Sequence, residues 1–248
     1  TGYGITELVD LDIAGNVDVI LPNLIRVYRD CHLRNTGNVD LPILERVNTL
    51  ELDGGSFDLP SLLRAGEITG TAVNGLNLPN INTIDRHISV SQSSLGILNL
   101  SNLASVGGYV ELEFCGIVQI DLSNLNTVGG YFTLAFNNLT QLNLPNLSSV
   151  GAMNTIPNIG FYLFQNQDLS EVNIPLLESF GLNIFWISNC SLSSASVNHL
   201  LSRLVNISPP ISGVEVNLMV QTPSAPPTGQ GLNDKATLIA NGNTVLTD

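Results

Sequence analysis

From His87 to Ser202 the sequence holds no lysine and no arginine, and charged residues of either sign make up only 12% of the 248-residue chain. Nucleic acids are held by clustered cations that displace phosphate counterions, and an anionic membrane surface calls for the same clusters. The gap therefore argues against both partners. Six of the eight cations, Arg26, Arg29, Arg34, Arg46, Arg64 and Arg86, come early, against 21 acids and a net charge of −13. Long apolar runs are absent as well. Asn, Ser, Asp or Gly breaks each aliphatic stretch well short of the roughly 18 residues that suggest a membrane span, so no direct membrane insertion is expected.

Cysteine is scarce. Cys31, Cys115 and Cys190 cannot all pair within one chain and show no C-x-x-C spacing, so they read as buried free thiols rather than zinc or redox ligands. Catalytic signatures are missing too: there is no H-E-x-x-H, no G-x-S-x-G and no phosphate loop, and His32, His87 and His199 fall in different parts of the chain. Catalytic β-helices that cleave acidic polysaccharides rely on a basic residue beside clustered carboxylates. The central turns offer none. The expectation is a protein that is not an enzyme and uses no cofactor. The chain starts at Thr1 without a basic-then-apolar leader, which we read as a mature form or an excised piece whose targeting signal lies outside it.

What the chain has in quantity is aliphatic residues. Hydrophobic content is 44% and mean hydropathy +0.26, enough to bury one core and too apolar for disorder. A short phrase recurs in which an aliphatic residue, then Pro or Ser, then any residue, precedes another aliphatic one. Its copies begin at Leu21, Leu41, Leu59, Leu78, Leu100, Leu122, Leu144 and Ile174, at steps of 20, 18, 19, 22, 22, 22 and 30 residues. Within a copy, Leu142 and Leu144 flank Asn143, while Phe132, Leu134 and Phe136 alternate with Thr133 and Ala135 after the Gly129–Gly130 pair. Period-two alternation marks short strands with one buried face. Units this short bury little alone, so they must stack as turns of a parallel solenoid. Residues 1–192 are expected to form about eight such coils, with the extra length around Gly151 to Gln167 extruded as a loop.

Residues 193–248 should close the stack. Val197, Leu200, Leu201 and Leu204 recur at helical spacing behind a run of serines able to cap a helix. A strand follows at Val214, Val216 and Leu218, then the Pro/Gly-rich Thr222 to Gly231, a short helix near Asp234 to Ala240 and a last strand at Thr244 to Leu246.

The stretch from Leu122 to Asn137, LSNLNTVGGYFTLAFN, resembles the repeat of receptor L-domain and bacterial surface leucine-rich-repeat proteins, over roughly residues 17 to 192. The closing segment is similar to that of leucine-rich-repeat proteins of Bacteroidota and their phages. The resemblance implies a mainly β, right-handed parallel β-solenoid with a small C-terminal α+β cap, placed on a bacterial cell or virion surface and binding protein or glycan. Copies before Gly75 depart from the pattern, since Arg64 to Gly75 has no Gly-Gly turn.

Two outward-facing sets are candidates for contact. Asp40, Asp58, Asn77, Asn99, Asp121, Asn143 and Asn173 each precede the repeated phrase and should form a ladder. It reads either as a weak Ca²⁺ stripe concentrated at Asp40 and Asp58 or as side chains hydrogen-bonding along the stack. Of the fourteen aromatics, eleven lie between Tyr109 and Trp186. Tyr109 and Tyr131 follow equivalent Gly-Gly pairs and should stack, with Glu111, Glu113 and Thr133 on the same strands and Tyr162 and Trp186 beyond. These residues are the candidate ligand-binding set, with partial burial as the competing reading. Phe114, Phe132 and Phe136 read as core. The functional expectation is a recognition or adhesion module, with a phage-tail host-recognition component or a structural rod that oligomerises into a fibre as alternatives.

Overall fold

The computed structural model describes residues 4–16, 18–34, 39–152 and 160–248. The repeats wind into a parallel β-solenoid in which every strand pairing is parallel. Each turn contributes to three ladders. One holds the strands that precede the repeated phrase, such as Ile97–Asn99 on Gln119–Asp121 and Gln141–Asn143 on Glu171–Asn173. A second holds two-residue strands, among them Thr83–Ile84, Ser105–Val106 and Thr127–Val128. The third is a broad sheet that runs the whole length of the described chain.

The broad sheet sets the core. Leu11, Cys31, Leu50, Ile68, Ile88, Val110, Phe132, Phe161, Phe185, Val216 and Val245 occupy one register position on successive strands, and all are buried. At the usual strand spacing this ladder is about 50 Å long. Phe132, Phe161 and Phe185 stack in its interior with ring centroids 5.0 and 5.2 Å apart. The repeated phrase lines the opposite wall, where Leu41, Leu59, Leu78, Leu100, Leu122, Leu144 and Ile174 are at most 1% exposed.

The Gly-Gly pairs owe their identity to stacking. A Cβ on Gly107 or Gly108 would run into the carbonyl oxygen of Asp85 or Arg86 one turn below, and neither residue needs a left-handed backbone. In the earlier copies, which lack the pair at the position equivalent to Gly107–Gly108, Arg46–Asp58 and Arg64–Asn77 run as continuous strands, and the register shifts at Gly55/Ser56. The extra length in the last long copy falls largely on residues 153–159, which lie outside the described residues. Its flank Gly160–Tyr162 is a strand of the broad sheet.

At the C-terminal end, α1 (Ser194–Val205) forms where the apolar spacing placed it. The Ser193 hydroxyl accepts from the Ser196 N–H, and Val197, Leu200, Leu201 and Leu204 are buried. Arg203 donates from Nε to the Leu177 carbonyl at 2.9 Å and from a terminal nitrogen to the Pro175 carbonyl at 3.1 Å. The helix thus satisfies acceptors of the last repeated phrase. The broad sheet continues past it: Glu215–Leu218 pairs with Ile184–Trp186, and Thr244–Thr247 pairs with Glu215–Leu218 after α2 (Gln230–Ala240).

Buried polar side chains close one corner of the coil. Asn137 accepts from the backbone N–H of Cys115 and Ile117 at 3.0 and 3.1 Å, and its amide donates to the carbonyls of Leu112, Leu134 and Ala135. Asn166 serves Leu139, Leu134 and Leu163 in the same way, and Gln221 serves Leu192 and Ile187. At the same corner, the thiol of Cys115 meets the carbonyls of Val90 and Glu113, and that of Cys190 those of Leu163 and Ser188. All three cysteines are free and buried, and burial pushes their thiols up to about 12. Because the thiolate is the reactive form, the folded protein is expected to resist iodoacetamide at pH 8, and all three are expected to label once urea unfolds it. Mass spectrometry showing rapid labelling of the native protein, or a Cys115 to Cys190 linkage in a non-reduced digest, would contradict this packing.

Candidate surface for recognition

Side chains alternate across the broad sheet, so the residues between the core positions face outward. The residue just before each core position forms one outward column. In it the rings of His87, Tyr109 and Tyr131 form a continuous stack, with centroids 4.4 Å apart at both steps and planes within 7°. The 22-residue repeat step causes this directly, since it brings equivalent side chains one strand spacing apart. The stack is half-buried. Tyr131 donates to the Glu111 carboxylate at 2.7 Å, and Thr133 donates to Glu113 at 2.7 Å. Burial first, and then the bond to Glu111, hold the Tyr131 hydroxyl well above the usual tyrosine range. Tyr109 is raised by burial and then by the Glu111 charge, and Tyr162 by burial.

The next column outward continues through Glu111, Thr133, Tyr162 and Trp186. Tyr162 meets Trp186 edge-on at 5.9 Å, and Phe164 lies edge-on to both. The indole N–H of Trp186 has no hydrogen-bond partner among the described residues. All seven residues of the candidate binding set therefore lie on one face. Thr133 alone is nearly covered, at 2% exposed. His87, one turn before Tyr109 in the same column, and Phe164, two residues past Tyr162 on its strand, join them. Composition alone singles out neither.

Phe114 and Phe136 overturn their expected place in the core. They are 50% and 36% exposed, and their rings stack on the outside at 4.2 Å, whereas Phe132 is fully buried. The cause is a left-handed residue at one corner of the coil in seven turns: Ala72, Gln92, Phe114, Phe136, Gln165, Asn189 and Val220 all have φ between 49° and 60°. That conformation resets the period-two alternation and turns the side chain out of the coil. For a non-glycine residue it costs about 1–2 kcal/mol. Beside the two rings lies an open groove of about 370 Å³, also lined by Asn138, Gln165, Gln167 and Asp168.

The polar ladder on the opposite side bonds along the stack at two steps and locally at two others. The Asn77 amide donates to Asp58 at 2.8 Å and that of Asn173 to Asn143 at 2.9 Å, while Asn99 and Asp121 each accept from a backbone N–H two residues on. Among the described residues, no cluster of three or more His, Cys, Asp or Glu side chains is placed to hold a metal ion, at Asp40 and Asp58 or elsewhere. Of the early arginines, Arg26, Arg29, Arg34, Arg64 and Arg86 each pair with a carboxylate, such as Arg64 with Asp85 at 2.7 Å and Arg86 with Glu67 at 2.9 Å. No helix is long and apolar enough to cross a membrane among the described residues.

Fold and surface together define a parallel β-solenoid with a cation-poor aromatic face. No protein-family model matches the chain, and no curated protein matches it.

Proposed function

We propose that the chain is a non-enzymatic recognition or adhesion module of the leucine-rich-repeat, L-domain-like kind, presented on a bacterial cell or virion surface and binding protein or glycan. The observation that carries this reading is the outward face of the broad sheet between His87 and Trp186, where aromatic rings run from turn to turn without a lysine or arginine among them. Rigid aromatic area loses little entropy on binding and suits recognition. The leucine-rich assignment draws on spacing: Phe132, Leu134, Asn137 and Leu139, and likewise Val110, Leu112, Cys115 and Ile117, follow the L-x-L-x-x-N/C-x-L run of such repeats. A phage-tail component that contacts a host fits the same surface. A structural rod or fibre subunit is the second reading, supported by Thr244–Thr247, which pairs on one side only among the described residues and so offers an edge for end-to-end assembly.

Replacing Tyr109 and Tyr131 together by alanine is expected to leave the circular dichroism spectrum intact and to weaken binding to host bacteria, or to the positive spots of a glycan array, at least tenfold. Wild-type binding should change little with salt, because no lysine or arginine lies between His87 and Trp186 to supply long-range attraction. Full binding by the folded double variant would remove this face from consideration.

A further inference from the structure

The solenoid cuts one corner short in two of its early turns. Three residues separate the buried positions Val27 and Cys31, and three separate Ile84 and Ile88, but only two separate Val47 from Leu50 and Ala65 from Ile68. Asn48 and Gly66 therefore sit back from Tyr28 on one side and Asp85 on the other. A Cβ on Gly66 would run into the Asn48 carbonyl oxygen. The result is an open notch of about 310 Å³, lined also by Arg26, Arg46 and Arg64.

These three arginines share one register position, so each lies directly beside the next. Like charges in that relation are destabilising. The outer two are compensated. Arg26 meets Glu7 of the preceding turn at 3.7 Å, and Arg64 donates from Nε to the Asp85 carboxylate of the following turn at 3.0 Å. Arg46, exposed between them, has no ion pair and no side-chain hydrogen bond among the described residues, not even with Glu45 beside it in the chain. The register that sets Asp85 one turn beyond Arg64 sets Gly66 one turn beyond Arg46. Where Arg64 finds a carboxylate, Arg46 thus finds a residue with no side chain and no room for one. A second open groove, of about 530 Å³, shares Arg46 and Arg64 and is lined by Asn80, Asn82, Thr83 and Asn102.

We propose that this notch binds the carboxylate of a uronic-acid sugar. The planar Arg46 guanidinium takes the carboxylate through paired N–H donors, as Arg64 takes Asp85, and the amides and hydroxyl of the adjoining groove meet the sugar hydroxyls. An extended peptide is disfavoured, because Arg46–Asp58 and Arg64–Asn77 are paired on both sides and leave no backbone edge to it. The site lies on turns before the aromatic face, and it stands whether or not that face binds a ligand.

The test titrates the whole chain by isothermal calorimetry with hexamers of galacturonate, mannuronate and glucuronate, with their carboxyl-reduced counterparts, and with hexaglutamate as the peptide control. At least one uronate hexamer is expected to bind with a dissociation constant near or below about 1 mM, in the range of a single shallow site. Its carboxyl-reduced counterpart should bind about tenfold more weakly or not at all, and salt should weaken the uronate complex. Arg46→Gln is expected to lose binding by about tenfold with an unchanged melting temperature, since the side chain has no partner to lose. Arg46→Lys, a point charge in place of a fork, should recover it only in part. Arg34→Gln, which removes an arginine paired with Asp12 away from the notch, should bind as wild type does. The proposal is overturned if no uronate hexamer binds, if the carboxyl-reduced hexamers bind equally well, if hexaglutamate binds as tightly as the best uronate, or if Arg46→Gln binds as wild type does. Uronate binding lost in the Tyr109, Tyr131 double variant and kept in Arg46→Gln would overturn this site and leave the recognition reading standing.

Discussion

Phe161→Ala is expected to lower the free energy of unfolding by about 3–5 kcal/mol, the range measured when a large aromatic is truncated in a tightly packed core. Phe161 is fully buried and lies between Phe132 and Phe185, its ring nearly parallel to both. Removing it takes away apolar burial and leaves a void bounded by two rings that the flanking strands hold apart. Those strands cannot close the gap, because Phe132↔Phe161 and Phe161↔Phe185 are register pairs of a hydrogen-bonded ladder. Domains of this size are stable by only about 5–15 kcal/mol, so the variant should unfold at a much lower urea concentration. In a solenoid, stability is carried by nearest-neighbour contacts, so the loss should centre on the turns between Phe132 and Phe185. A urea midpoint equal to that of wild type would show that this stack is not the centre of the core.

The second large effect is expected from Asn137→Leu, which keeps roughly the volume and deletes the polar atoms. Its carbonyl oxygen satisfies the N–H groups of Cys115 and Ile117, and its amide serves three carbonyls, with every bond at 3.2 Å or less. Asn137 is 5% exposed, so water cannot replace it without opening the corner. Each buried group left unpaired costs about 1–3 kcal/mol, and two orphaned donors place the loss at about 2–6 kcal/mol. Asn137→Cys should be milder, because Cys115 and Cys190 fill equivalent places with a thiol on two carbonyls. Hydrogen exchange offers the local check. The Cys115 and Ile117 amides should exchange much faster in Asn137→Leu, and unchanged protection there would disprove the role given to this side chain.

Much of this architecture is legible before any coordinates. The repeat step of Leu100, Leu122 and Leu144 implies stacking, and the alternation through Phe132, Thr133 and Leu134 implies a half-buried strand. The spacing of Val197, Leu200, Leu201 and Leu204 places α1. The Tyr109–Tyr131 stack follows from the same arithmetic, since two residues 22 apart in a 22-residue repeat occupy the same place on neighbouring turns. The candidate surface is therefore readable wherever it lies on extended backbone.

The corners are not. Phe132, Leu134 and Phe136 read as one alternating run that would carry all three side chains inward. The run ends one residue earlier than the alternation suggests, because Phe136 takes a left-handed backbone and turns its ring outside. The signal available is indirect: Phe114 and Phe136 each stand directly before the buried Cys115 and Asn137, whose inward placement obliges the chain to turn there. By itself, then, the sequence determined the period of the stack, the inward and outward parity along each strand and the closing helix, because these depend on local regularities of spacing that the extended and helical backbones transmit. Only the tertiary structure decided which aromatics reach solvent and which polar side chains plug the coil, because a left-handed residue at the corner breaks that parity, and its place is set by contacts with the turns above and below.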